Sequence, residues 1–170
     1  MEAACIYYHD HELLNINNDK YGLSDFFELP EEPEVESYWH RGTKTIPLFK
    51  LTKIAGTCID RNKTKSTVTI LTPNGVVEVK FRKEYFALFD RQISERGADG
   101  KKHIVERSWF KRGNMIIVHG MRSGDNFICK KYSSTVGHQL YRINEVKSNG
   151  DLILQDTRYQ GGIAEEDEEV

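Results

Sequence analysis

Cysteine is sparse in this chain: Cys5, Cys58 and Cys129 are odd in number, far apart, and form no C-x-x-C pair. That argues against a disulfide framework or a zinc knuckle and fits a reducing, cytosolic setting. No apolar run approaches the roughly 20 residues that a membrane-crossing helix needs. Met1–Ile6 lacks the basic stretch followed by an apolar one that marks a secretory signal. A Walker-type phosphate loop and a G-x-S-x-G elbow are both missing. Net charge is lacking too. Twenty-four Lys+Arg against 26 Asp+Glu leave −2, a balance that taken whole argues against a polyanionic partner.

The charges are nevertheless unevenly placed. Residues 1–40 hold one base and ten acids, net −9. Residues 41–142 hold 21 bases and eight acids, net +13, and residues 143–170 hold two bases and eight acids, net −6. A basic middle between acidic ends points to a polyanion as partner of the middle. The length of 170 residues suits one domain better than two. Such a chain covers roughly 70% of its unfolded surface, enough for a core without staples.

Residues 1–29 read as short helical or irregular pieces, with apolar residues at 23, 26, 27 and 29 and Ser24 or Asp25 placed to cap a short turn of helix. Pro30-Glu31-Glu32-Pro33-Glu34 reads as an extended linker. From Thr45 the pattern is that of strands. Phe49 and Leu51 share one face, and Ile54 and Cys58 take the opposite parity around Gly56, as in one long strand with a bulge or bend. Ser66–Thr72 alternates, Asn74-Gly75 is a hairpin signal, and Val77, Val79 and Phe81 alternate in a third strand. The period then changes. Phe86, Phe89 and Ile93 predict an amphipathic helix over Lys83–Ile93, though with no capping side chain at its start. Residues 94–103 read as an exposed loop. Asn114–Met121 reads as a strand, Asn126–Lys130 as a short edge strand, Gln139–Val146 as the next and Leu152–Leu154 as an extra one. The tail, Glu165–Glu169, is too charged to pack and is expected to be disordered.

Three strands, a helix and further strands is the order of a five-stranded OB-fold barrel with the helix between strands 3 and 4. An SH3-like barrel is the runner-up but has no place for this helix. The expected division is an acidic extension and linker over 1–40, an OB-fold domain over 41–157 and an acidic tail over 158–170.

OB barrels bind single strands with a positive groove and stacking aromatics. Arg61, Lys63 and Lys65 sit together in the loop between strands 1 and 2. Lys130, Lys131 and Tyr132 lie at the end of the strand-4/5 hairpin region, and these two loops flank the groove. Arg41, Lys44, Lys80, Arg82, Lys111, Arg112 and Arg122 add charge, and Tyr132 is the stacking candidate. Trp109 reads first as core, while Phe110 reads either as core or as a stacking ring. Enzyme signals are weak. His9 and His11, at i and i+2, share a strand side, but no third zinc ligand is signalled. Cys58 and Cys129 fall in strands as small core residues. Acids are too few in the middle for a two-metal site.

The runs Ile54–Thr69, Val79–Ser94, Ser108–Asn114 and His138–Ile143 resemble the C-terminal region of the bacterial replicative DNA polymerase III alpha subunit. Tyr7–Leu13 resembles that family's stretch leading into the barrel, so the likeness covers most of residues 5–145. The resemblance implies an OB module associated with single-stranded template, with the rest of an alpha subunit and other replisome proteins as partners. It also implies a cytoplasmic location at bacterial replication forks, without a membrane. The family's magnesium-dependent chemistry belongs to an upstream palm domain, so no catalytic residue and no cofactor is carried over to any position here.

Overall fold

The computed structural model of the chain describes residues 13–130 and 140–157. A one-turn helix, Asn18–Tyr21, and a 3-10 turn, Phe26–Glu28, precede a self-paired ribbon. In it β1 (Val35–Arg41) and β2 (Lys44–Phe49) run antiparallel around Gly42, whose φ of +63° suits glycine. β3 (Thr52–Asn62), β4 (Thr67–Thr72) and β5 (Gly75–Lys80) follow as an antiparallel meander. After a helix at Lys83–Phe89, β6 (Ile93–Arg96) and β7 (Lys102–Glu106) make a second ribbon. β8 (Met115–Ser123) and β9 (Asn126–Cys129) come next, and β10 (Leu140–Val146) with β11 (Leu152–Asp156) forms the last hairpin.

Five of these strands close an OB-fold barrel in the order β3-β4-β5-β9-β8 and back to β3. Every pairing is antiparallel except β5 with β9, where Glu78, Val79 and Lys80 lie opposite Asn126, Phe127 and Ile128. Strand alternation fills the interior. Ile54, Cys58, Val68, Ile70, Val77, Val79, Ile116, Val118, Phe127 and Cys129 point inward and are all buried.

Each end of the barrel is plugged. The helix has only seven residues and no side-chain cap, so packing sustains it. Phe86 and Phe89 join Phe81 and Phe110, with ring centroids 4.9 Å apart for Phe81–Phe110 and 5.4 Å for Phe86–Phe110. Burying each such ring is worth about 1.5–3 kcal/mol over leaving it in water. The opposite end is closed by a 3-10 turn, Phe26–Glu28, whose Asp25 side chain accepts the Phe27 N–H at 3.0 Å. Phe26 there packs edge-on to Phe127, with centroids 6.4 Å apart. The β10–β11 hairpin extends the sheet beyond the barrel by pairing β10 with β8. It traps a satellite core of Leu13, Ile16, Ile117 and Ile143.

Several expectations are corrected. The long first strand is two strands. β2 ends at Phe49 and belongs to the ribbon, and the Lys50 N–H turns back to the Glu34 carbonyl. A bulge does occur in β3, but between Cys58 and Asp60 rather than at Gly56. Gly56 has a different cause, since a Cβ there would press into the Ile70 side chain. The helix stops at Phe89, not Ile93. Ile93 is buried as the start of β6, so its periodic spacing reflects strand packing. The stretch 94–103 is not a loop but most of the β6–β7 hairpin. Asn126–Lys130 is not an edge strand, because β9 pairs on both sides and closes the barrel. The acidic tail lies outside the described residues. The β1–β2 ribbon runs through residues 40 and 41 without a break.

Closure depends on a close approach at Gly120, where a Cβ would fall on the Ile128 carbonyl backbone. Gly120→Ala is expected to destabilise the fold by roughly 2–4 kcal/mol, since backbone cannot step aside as a side chain can. Urea denaturation would show this as a lowered midpoint. An unchanged midpoint would mean that β9 does not sit this close.

Candidate nucleic-acid interface

The bulge in β3 decides where Arg61 goes. It flips the parity, so Asp60 and Asn62 face outward and Arg61 shares the inner side with its partner Val68. At the end of the barrel its guanidinium meets Asp90, which ends the helix. Arg61 Nη1 donates to Asp90 Oδ1 at 2.7 Å, and Ser108 Oγ donates to the same oxygen at 2.7 Å. The Asp90 side chain is only 5% exposed and that of Arg61 35%. Lys63 Nζ stands 3.9 Å from Asp90 Oδ2 but keeps 74% of its side chain in solvent. One carboxylate thus ties the β3–β4 loop, the helix end and the segment before β8 together.

The loop tip is held locally as well. The Lys65 N–H donates to Asn62 Oδ1 at 3.1 Å, and Ser66 adopts a left-handed φ of 57° while its carbonyl accepts the Phe81 N–H at 2.9 Å. Lys63 and Lys65 therefore project from a fixed turn. Lys80, exposed, lies opposite Thr67 at the foot of this loop. Arg82 follows at the start of the helix, its guanidinium 5.5 Å from the Tyr85 ring and 3.6 Å from Glu84. Lys111 and Arg112, both exposed, precede Gly113, whose N–H donates to the Cys58 carbonyl near the same end of β3. Six of the expected cations, Lys63, Lys65, Lys80, Arg82, Lys111 and Arg112, thus gather at the helix end of the barrel.

The rest are placed otherwise. The turn joining β8 to β9 is Ser123-Gly124-Asp125, at the opposite end, so Lys130 follows the last barrel strand rather than tipping a hairpin. Arg122 is turned inward. It donates to the carbonyls of Phe26 at 3.1 Å and Leu29 at 2.9 Å, and lies 4.4 Å from the Phe26 ring centroid. It is half-buried and holds the plug. Lys131 and Tyr132 lie outside the described residues. Trp109 and Phe110 are both core, each 1% exposed. Sequence reasoning missed Asp90 as the anchor, and missed Tyr38 and Trp39, which stand exposed on the first ribbon. The available signal was Gly42-Thr43, a two-residue turn led by glycine.

Burial pushes the Cys58 thiol up to about 12, so it is no resting nucleophile. Burial beside Lys53 lowers the His119 pKa, leaving a neutral imidazole whose Nδ1 has no hydrogen-bond partner among the described residues. No group of three potential metal ligands occurs among the described residues, and His9 and His11 lie outside them. No described helix is long and apolar enough to cross a membrane.

Two curated proteins match most of the chain. One is a probable DNA polymerase, YorL, of Bacillus subtilis strain 168, and the other a DNA-directed DNA polymerase of Bacillus phage SPbeta. Each is 41% identical over 160 residues, which is 93% of this chain and 12% of the relative. The chain is similar to a segment of DNA polymerases. It spans about an eighth of the length of those relatives. No family model matches the chain, and no solved structure matches it.

Asp90→Ala is expected to cost about 1–3 kcal/mol, because it leaves a buried hydroxyl and a part-buried guanidinium without their acceptor. Lys63→Ala, which removes only an exposed charge, should change stability by less than ~0.5 kcal/mol. Thermal or urea unfolding of the two variants checks the contrast, and equal effects would deny Asp90 its anchoring role.

Proposed function

We propose that the chain is the OB-fold module of a DNA polymerase III alpha-like replicative polymerase and binds single-stranded DNA with little base specificity. The observation that carries this reading is the gathering of Lys63, Lys65, Lys80, Arg82, Lys111 and Arg112 at the helix end of an OB barrel. Cations on a fixed turn at the rim of such a barrel suit a phosphate backbone that passes over it. The similarity to DNA polymerases supplies the context, and the resemblance to the alpha subunit supplies the finer assignment. On this reading the module works beside the rest of the polymerase at bacterial replication forks. Synthesis and its magnesium belong to other parts of that enzyme.

Fluorescence anisotropy with a labelled oligo-dT tests the reading. With about five phosphate contacts, log K should fall against log salt with a slope of roughly −3 to −4. The double variant Lys63→Ala, Lys65→Ala should weaken binding and make that slope shallower by about 1.4. Absence of binding at low salt would sink the reading for this chain.

A second reading is a module that holds another replisome subunit. It is favoured by β11, which lies at the edge of the seven-stranded sheet and exposes Ile153 and Leu154. Co-purification with replication proteins that survives nuclease treatment and is lost on Ile153→Lys would support it. Co-purification abolished by nuclease would point back to DNA.

A further inference from the structure

The β1–β2 ribbon pairs only with itself among the described residues, and every residue of β1 is exposed. An isolated two-stranded ribbon is marginal in water, so its exposed rings are not explained as its own core. Trp39 leaves 50% of its surface in solvent and Tyr38 60%. Register divides them. Trp39 lies opposite Ile46 and Arg41 opposite Lys44, so these four share one face, while Tyr38 opposite Pro47 and His40 opposite Thr45 occupy the other. On the first face the Arg41 guanidinium sits 5.9 Å from the Trp39 ring centroid. Between residues 37 and 46 the ribbon carries two formal cations, Arg41 and Lys44, and no acid.

We infer that this face of the ribbon is a second contact for single-stranded nucleic acid, with Trp39 stacking on a base and Arg41 and Lys44 meeting the neighbouring phosphates. The choice of ligand rests on the proposed DNA-binding reading. A polyanion with aromatic bases matches an exposed indole flanked by two cations, whereas an apolar peptide would have to desolvate both charges. Arg41 beside the ring strengthens the same site, because a stacked base and a guanidinium use the two kinds of surface that single-strand platforms combine.

The test is a titration of the whole chain with labelled oligo-dT at low salt, reading oligo anisotropy and tryptophan emission together. Binding should quench emission, and the quench should vanish in Trp39→Phe, which leaves the buried Trp109 as the remaining tryptophan. Trp39→Ala should weaken binding roughly 5- to 100-fold. The pair Arg41→Ala, Lys44→Ala should make the salt slope shallower by about 1.4. Tyr38→Ala, on the opposite face, should alter affinity less than about two-fold, which separates stacking from mere loosening of the ribbon. Binding without quench, unweakened by Trp39→Ala but weakened by the Lys63, Lys65 double variant, overturns the ribbon contact and leaves the barrel reading intact. The reverse pattern, loss with Trp39→Ala and none with the double variant, supports the ribbon and overturns the barrel. Equal quenching by polyglutamate makes the occupant an acidic polypeptide and overturns the inference. No oligo binding at all overturns both.

Discussion

The parallel pairing of β5 with β9 is the constraint on which the rest of the fold depends. An antiparallel meander such as β3-β4-β5 leaves an open edge, and open edges invite association. Bringing the fifth barrel strand back beside the third satisfies that edge but requires the chain to cross one end of the barrel between β5 and β8. The helix lies on that crossing. It therefore falls at the end where the β3–β4 loop also emerges, and its Phe86 and Phe89 become the plug. The cations that gather there follow from the same topology: Lys80 ends the strand before the crossing and Lys111 and Arg112 end the crossing itself.

Two arginines show how such a barrel finishes its open ends. Arg61 and Arg122 both pair with inward residues, Val68 and Phe127, at opposite ends of the barrel. An inward arginine in mid-barrel would strand a charge among apolar side chains. At the rims it reaches polar acceptors, a carboxylate at one end and three main-chain carbonyls, those of Phe26, Leu29 and Gly124, at the other. Their role is to fasten each plug to the wall. The acceptors differ for a physical reason. The helix end offers the Asp90 side chain, whereas the short turn offers main-chain carbonyls, that of Phe26, which also accepts the Leu29 N–H at 3.1 Å, and that of Leu29 just beyond it.

Much of the fold was legible because strand alternation is a two-residue signal that local sequence carries. The expected strand Ser66–Thr72 matches Thr67–Thr72 within a residue, whereas the third strand, expected from Val77 through Phe81, starts at Gly75 and ends at Lys80. The element order points to an OB barrel, but not to the strand that closes it, because no local feature of Asn126–Cys129 says that β5 lies alongside. The helix was overextended since Ile93 continues the spacing of Phe86 and Phe89, and only tertiary packing assigns it to a strand. The same limit governs the candidate site. Positive residues are visible in sequence, but the side of a strand they occupy is not. One bulge sent Arg61 inward to a carboxylate 29 positions away, and strand parity did the same to Arg122.

Charge placement settles how the whole-chain value of −2 bears on the proposed interface. The acidic segment from Asp25 to Glu34 lies against the end opposite the helix. Asp25 Oδ2 accepts from Asn74 at 2.7 Å in the β4–β5 turn, and the Glu31 carbonyl accepts the Gly124 N–H in the β8–β9 turn. The two ends are separated by the length of a six-residue strand such as β4, about 20 Å at ~3.3 Å per residue. That is about two Debye lengths at 0.1 M salt, where one is ~10 Å. The acids at one end therefore cannot cancel the cations at the other for a ligand near the surface. An approaching polyanion meets a local field set by Lys63, Lys65, Lys80 and their neighbours, while the sum over the chain describes a distance at which no contact is made.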